Sequence, residues 1–244
     1  MEPIYGQDLA YIQAAAYGTL ARGAAPEVLR RLAGAAIPVH SVVDVGCGAG
    51  TLTAALVQAG FEATGIDTSA ALLEIARAAA PAANFVHASA YAAEIPACEA
   101  VVALGEPLTY HAAGADADSL VSEFFQRVAD ALPDGGPFIF DMIEPGEPSL
   151  AGRFWSSGED WAVLVEVTED PAARALVRGI ELFRRVGGLY RRGREVHSVR
   201  LFDAPTLESR LVRCGFAVET AQAYGTHALG PRRRAFFATR VRPA

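Results

Sequence analysis

A doubly wound α/β fold is what the sequence predicts, and three observations predict it. The stretch Val42-Val43-Asp44-Val45-Gly46-Cys47-Gly48-Ala49-Gly50-Thr51 reads as a strand, a tight turn and the start of a helix. Five strands follow one another up to Asp141 with helices between most of them, the order of a parallel, doubly wound sheet. At 244 residues the chain is long enough for one well-buried α/β domain and short for two.

Taken in order, residues 6–33 read as helical, with Leu9, Ile12, Ala16 and Leu20 on one face and Pro26 opening a short second helix. Strand one is 41–45, and its helix, 51–59, stops at Gly60. Strand two, 63–67, ends at Asp67; Thr68 or Ser69 caps the helix 70–80, and Pro81 breaks it before strand three, 84–87. Strand four is 100–104. A helix near 119–132, with Asp116 or Asp118 at its start, leads through Pro133-Asp134-Gly135-Gly136 to strand five, 137–141. After Glu144 three extended runs follow, 161–168, 175–183 and 189–202, too close together for crossovers and therefore an antiparallel β insertion. Asp203 caps a helix to Cys214, and 216–221 with 235–241 form a closing antiparallel pair that brings the sheet to seven strands.

Composition narrows the function. A net charge of −7 argues against a nucleic-acid partner, because phosphate binding needs a basic face. That total hides a basic segment: residues 174–213 hold ten arginines against four acids. The chain has no lysine, so lysine bases and Schiff bases are excluded. Cys47, Cys98 and Cys214 lack any ligand spacing and read as free thiols in a reducing cytoplasm, with no metal site expected. No apolar stretch suits a signal peptide or a membrane span.

The glycines carry the functional signal. Gly46, Gly48 and Gly50 let the backbone turn sharply and let a ligand approach the main chain at a helix N-terminus. Thr51 stands where a dinucleotide loop has its last glycine, and a phosphate-gripping loop needs a lysine. Asp67, 21 residues beyond Gly46, ends the next strand, where a carboxylate accepts hydrogen bonds from ribose hydroxyls. Together, Asp44-Val45-Gly46-Cys47-Gly48-Ala49-Gly50 and Gly65-Ile66-Asp67-Thr68-Ser69 resemble the first two motifs of class I S-adenosylmethionine-dependent methyltransferases.

That resemblance implies a Rossmann-like single domain using S-adenosylmethionine and releasing S-adenosylhomocysteine. Within it, residues 1–38 are expected as a helical lid, 39–150 as the cofactor-binding core, 155–202 as the β insertion over the acceptor site, and 203–244 as the last helix and closing strands. Tyr5, Asp44, Gly46, Cys47, Gly48, Gly50, Asp67, Thr68, Leu72, Ala88, Ser89, Ala90 and Gly105 are the expected cofactor contacts. Ser89 departs from the acid often found at its place, which weakens side-chain recognition of the adenine. Tyr17, Tyr110, Trp161, Tyr190 and His197 are the candidates to touch the acceptor.

Methyl transfer needs a lone pair held in line with the sulfonium methyl, and a base only where the acceptor is a hydroxyl. His111, on the loop after strand four, is the candidate base, and Glu106 the candidate orienting carboxylate, for the cofactor's amino group or an amine acceptor. The acceptor is expected to be a small metabolite or natural-product intermediate methylated on N or O. The arginines of the insertion read either as a site for an anionic acceptor or as a solvated charge set. A cytoplasmic monomer or homodimer is expected. The other functional readings are a binding protein without turnover and a nicotinamide-dependent oxidoreductase.

Overall fold

The computed structural model describes residues 4–110 and 116–241. Two helices come first, α1 (Gln7–Ala16) and α2 (Thr19–Ala33), and the break between them falls at Tyr17-Gly18. Pro26 therefore does not open a helix as expected; it lies inside α2. Proline costs one helical hydrogen bond there, and burial of Ala24, Ala25, Val28 and Leu32 on the same helix outweighs it.

The parallel part follows the expected order: β1 (Ser41–Val45), α3 (Thr51–Gln58), β2 (Glu62–Asp67), α4 (Ala70–Ala79), β3 (Asn84–His87), β4 (Ala100–Ala103), α5 (Ala117–Ala131) and β5 (Pro137–Ile143). Ser69 caps α4 by accepting from the Leu72 amide, and Asp116 caps α5. Beyond β5 come β6 (Gly152–Ser157), β7 (Trp161–Asp170), β8 (Ala175–Val186), β9 (Leu189–Arg200), α6 (Ala204–Arg213), β10 (Phe216–Ala221), a small hairpin of β11 (Ala223–Tyr224) and β12 (His227–Ala228), and β13 (Arg233–Arg240).

Seven strands make one sheet in the order β10-β13-β5-β4-β1-β2-β3, with β13 antiparallel to both neighbours. β1 pairs in parallel with β2 on one side and β4 on the other, so the winding reverses there and the carboxyl ends of β1 and β4 splay into a crevice. Both faces are covered. Phe124 and Phe125 of α5 and Leu207 and Leu211 of α6 pack on one face, Val28 and Leu32 of α2 and Leu52 and Leu56 of α3 on the other. This is why β4 and β5 are buried along their whole length and carry no alternation.

The insertion is a four-stranded antiparallel sheet, β6-β7-β8-β9, not three runs. β6 is an edge strand of mostly exposed residues, Trp155 among them at 77%, so the sequence shows no buried face to mark it. The inner face carries alternate residues: Val163, Ile180 and Leu182 pack on Leu9 and Ile12 of α1.

Arg232 fastens this sheet to the core. Its guanidinium donates to the carbonyls of Glu144 and Pro148 and to the Glu169 carboxylate at 2.7 Å, with both side chains under a tenth exposed. The Arg232 hydrogen bond holds the Glu169 carboxyl down at about 2, from 4.5. A depressed carboxyl contributes stability that is complete above its unfolded value and lost as pH falls toward its folded one. The urea midpoint should therefore drop between pH 4.5 and about 2 more steeply in the wild type than in Glu169→Gln; parallel pH curves for the two would refute this role.

Candidate active site

At the crevice lies a cavity of about 340 Å³. The glycine loop forms its floor, but its three glycines do different things. Gly46, at φ +72, lies where an added Cβ would sit 2.3 Å from the Pro107 side chain, so it lets the β1 and β4 loops close together. Gly50, at φ +78, meets Ala76 at 2.9 Å and serves the packing of α3 on α4. Gly48, at φ +55, has nothing within 4 Å and leaves its backbone open to the cavity. Gly48→Ala should cost about 1–2 kcal/mol of left-handed strain and lower ligand affinity. Gly50→Ala carries the same strain plus about 1–3 kcal/mol of overpacking, with less effect on affinity. Thermal melts with and without ligand separate the two.

Asp67 stands at the end of β2, with one oxygen accepting from the Gly48 amide at 2.9 Å and the other from the Ser69 amide at 2.8 Å. Burial raises its carboxyl, and the amides oppose that rise. Thr68, Leu72, Ala88, Ser89 and Ala90 continue this wall, and Cys47 lines it with a thiol that burial pushes far up, which makes it inert. Another part of the lining comes from Tyr5, Gln13, Tyr17 and Leu20 of the N-terminal segment. That segment is tied down at its start: Ser69 donates to the Tyr5 carbonyl, while the Tyr5 and Gly6 amides donate to Glu195 of β9.

The far end is charged. Glu106, at φ +62 and 3% exposed, projects into the cavity from the loop after β4. Its Oε1 lies 2.6 Å from Arg178 of β8 and its Oε2 3.3 Å from Arg233 of β13, yet Oε2 has no hydrogen-bond partner. Arg178 also donates to the Tyr110 hydroxyl at 2.9 Å. Burial raises the phenols of both Tyr5 and Tyr110.

Several expected contacts lie elsewhere. Asp44 is buried beneath the loop, where its carboxylate accepts from the Thr53 hydroxyl at 2.6 Å and burial lifts it to about 7; it anchors α3 and does not line the cavity. Trp161 packs against α1, and Tyr190 is 61% exposed on the outer face of the insertion. His197 is fully enclosed behind the wall, bonded to Glu195 at 2.8 Å with its ring against Tyr5 and Tyr110. His111 lies outside the described residues. Arg178, Arg233 and Gln13 line the cavity without having been foreseen. The signal for Arg178 was present: it shares strand parity with the buried Leu176, Ile180 and Leu182.

Among the described residues no cluster of three or more metal-ligating side chains occurs, and no helix is long and apolar enough to cross a membrane.

Comparison with known proteins agrees with the geometry. Residues 42–136 match the model of a methyltransferase domain. The protein YqeM of Bacillus subtilis (strain 168), named as a methyltransferase, is 26% identical over 206 residues, spanning 80% of this chain and 82% of its own. A solved S-adenosylmethionine-dependent methyltransferase from Clostridium acetobutylicum superposes with a TM-score of 0.80 at 17% identity, covering 96% of this chain and 98% of that one. The sugar N-methyltransferase KedS8 from Streptoalloteichus does so at 0.80 with 21% identity, covering 99% and 98%.

Proposed function

We propose that this chain, a class I S-adenosylmethionine-dependent methyltransferase, methylates the amine nitrogen of a small polar metabolite seated against Glu106, with S-adenosylhomocysteine as the second product. The cofactor fits the residues present. The open Gly48 backbone leaves room that a side chain would fill, Asp67 offers acceptor capacity for ribose hydroxyls, and the mostly apolar wall from Leu72 to Ala90 suits a planar base. When bound, it supplies a methyl group already activated on sulfur, so the protein's task is to position the acceptor and exclude water.

The observation that carries the choice of nitrogen is the Glu106 carboxylate, which lines the cavity and whose buried Oε2 faces Arg233 at 3.3 Å without making a hydrogen bond of its own. An amine that donates one N–H to it has its lone pair turned away from the carboxylate and toward the donor. The nitrogen gains positive charge as the bond forms, and the same carboxylate stabilises that charge until a proton leaves. A hydroxyl acceptor would instead need a base near neutral pKa. The phenols of Tyr5 and Tyr110 are shifted the wrong way for it, and no imidazole lines the cavity among the described residues. Arg178 and Arg233 are both paired with Glu106, so they do not by themselves call for an anionic acceptor.

The likeness to a sugar N-methyltransferase makes amino sugars the class to try first. Labelled S-adenosylmethionine supplied with matched pairs, each an amino sugar and its hydroxyl counterpart, should label only the amino member. Equal labelling of the hydroxyl member would overturn the assignment to nitrogen.

A further inference from the structure

We infer that Asp141 is the positioning residue for the acceptor end of this cavity, acting through Glu106 and Arg233 without touching the acceptor; the inference rests on the role given to Glu106 above. Asp141 lies near the carboxyl end of β5 and is wholly buried. Its carboxylate takes four donors, two on each oxygen. Oδ2 accepts from the Gly105 amide at 2.9 Å and the Tyr224 hydroxyl at 3.2 Å, and Oδ1 from the Glu106 amide at 3.1 Å and Arg233 at 3.3 Å.

Two consequences follow from that set. Gly105 and Glu106 both have positive φ, at +83 and +62, and for Glu106 this backbone is strained. Two successive amides pinned by one carboxylate hold the loop in the course that places Glu106 on the cavity lining. Arg233 is shared, one nitrogen on Asp141 and the other facing Glu106 Oε2. Asp141 thus shares the Arg233 guanidinium with Glu106, whose Oε2 stands 3.3 Å from it without a hydrogen bond. Tyr224, 1% exposed in the β11–β12 hairpin, completes the brace from the far side.

Asparagine at this position has one acceptor where aspartate has two. Whichever way the amide turns, its NH2 faces at least one backbone N–H, so one loop bond is lost. In full-length Asp141→Asn, amide hydrogen exchange at Gly105 and Glu106 should accelerate at least about tenfold while the amides of β4 and β5 keep their protection. The calorimetric Kd for S-adenosylhomocysteine should stay within about threefold, and kcat/KM for the best amine of the acceptor panel should fall about ten- to a hundredfold. In a Glu106→Gln background the same substitution should lower kcat/KM no further, because the residue acts through Glu106.

Equal losses in both backgrounds, or protection lost throughout β5, would overturn the inference. Should Asp141→Asn fail to fold, Tyr224→Phe keeps the carboxylate and removes one donor. It should cost about threefold in kcat/KM with Glu106 present and nothing without it, and equal costs refute the inference. If Glu106→Gln alone leaves turnover unchanged, the reading of Glu106 fails, and exchange at the two amides still decides what Asp141 holds.

Discussion

Replacing Asp67 by alanine should weaken S-adenosylmethionine binding about ten- to a hundredfold, through loss of charge-assisted hydrogen bonds worth about 1.5–3 kcal/mol. Two effects combine. Each Asp67 oxygen already accepts one backbone amide, from Gly48 or Ser69, and retains a second acceptor direction for a ribose hydroxyl. Alanine removes the ribose partner and also frees the glycine loop, whose Gly48 amide then has no acceptor. Asp67→Asn keeps one acceptor and should fall between the two. Calorimetry with S-adenosylhomocysteine measures all three; an unchanged Kd in the alanine variant sinks the ribose assignment. The acid side gives a second check. Burial raises the Asp67 carboxyl, and hydroxyl donors favour the ionised form, so affinity should decline on acidification at a higher pH than an ordinary aspartate would give.

The half of the cavity proposed for the cofactor was legible because its chemistry is local in sequence. Three glycines at alternate positions and an acid one strand-helix unit later fix both the bend and the carboxylate beside it, and the fold only has to place neighbouring strands together. Even there the role of each residue waited on packing. Gly50 faces Ala76 and Asp44 faces Thr53, contacts between elements that spacing does not specify.

The half proposed for the acceptor depends on how distant segments meet. Arg178 sits among ten arginines, and whether it is solvated or buried turns on strand parity together with the docking of the insertion over the β4 loop. Asp141 and Arg233 come from two further strands, and the second was expected to begin only at residue 235. Tyr190 fails for the same reason in reverse, its strand parity placing it with the solvent-facing Arg185. β6 left no trace because an exposed edge strand needs no apolar face, and Pro26 misled because tertiary burial overrode a local preference.

Glu106→Gln is the substitution expected to separate binding of the two ligands most sharply. The change keeps shape but leaves Arg178, about four-fifths buried, without its carboxylate, and it takes the second carboxylate from Arg233. Breaking a buried ion pair from one side costs about 3–5 kcal/mol; Asp141 still holds Arg233 and Tyr110 still accepts from Arg178, so a value near the lower bound is expected. For turnover, the amine loses a charged acceptor and the transition state its counter-charge, which together should lower kcat/KM about a hundredfold or more. Binding of S-adenosylhomocysteine should be little changed, since Asp67 and the glycine loop stand at the other end. Glu106→Asp tests whether charge or reach matters. Aspartate tolerates positive φ at least as well and restores the ion pair in part, but its shorter arm withdraws the carboxylate from the cavity. Stability recovered without turnover in that variant would mean that the reach of the carboxylate serves the acceptor, while recovery of both would mean that only the charge beside Arg178 was needed.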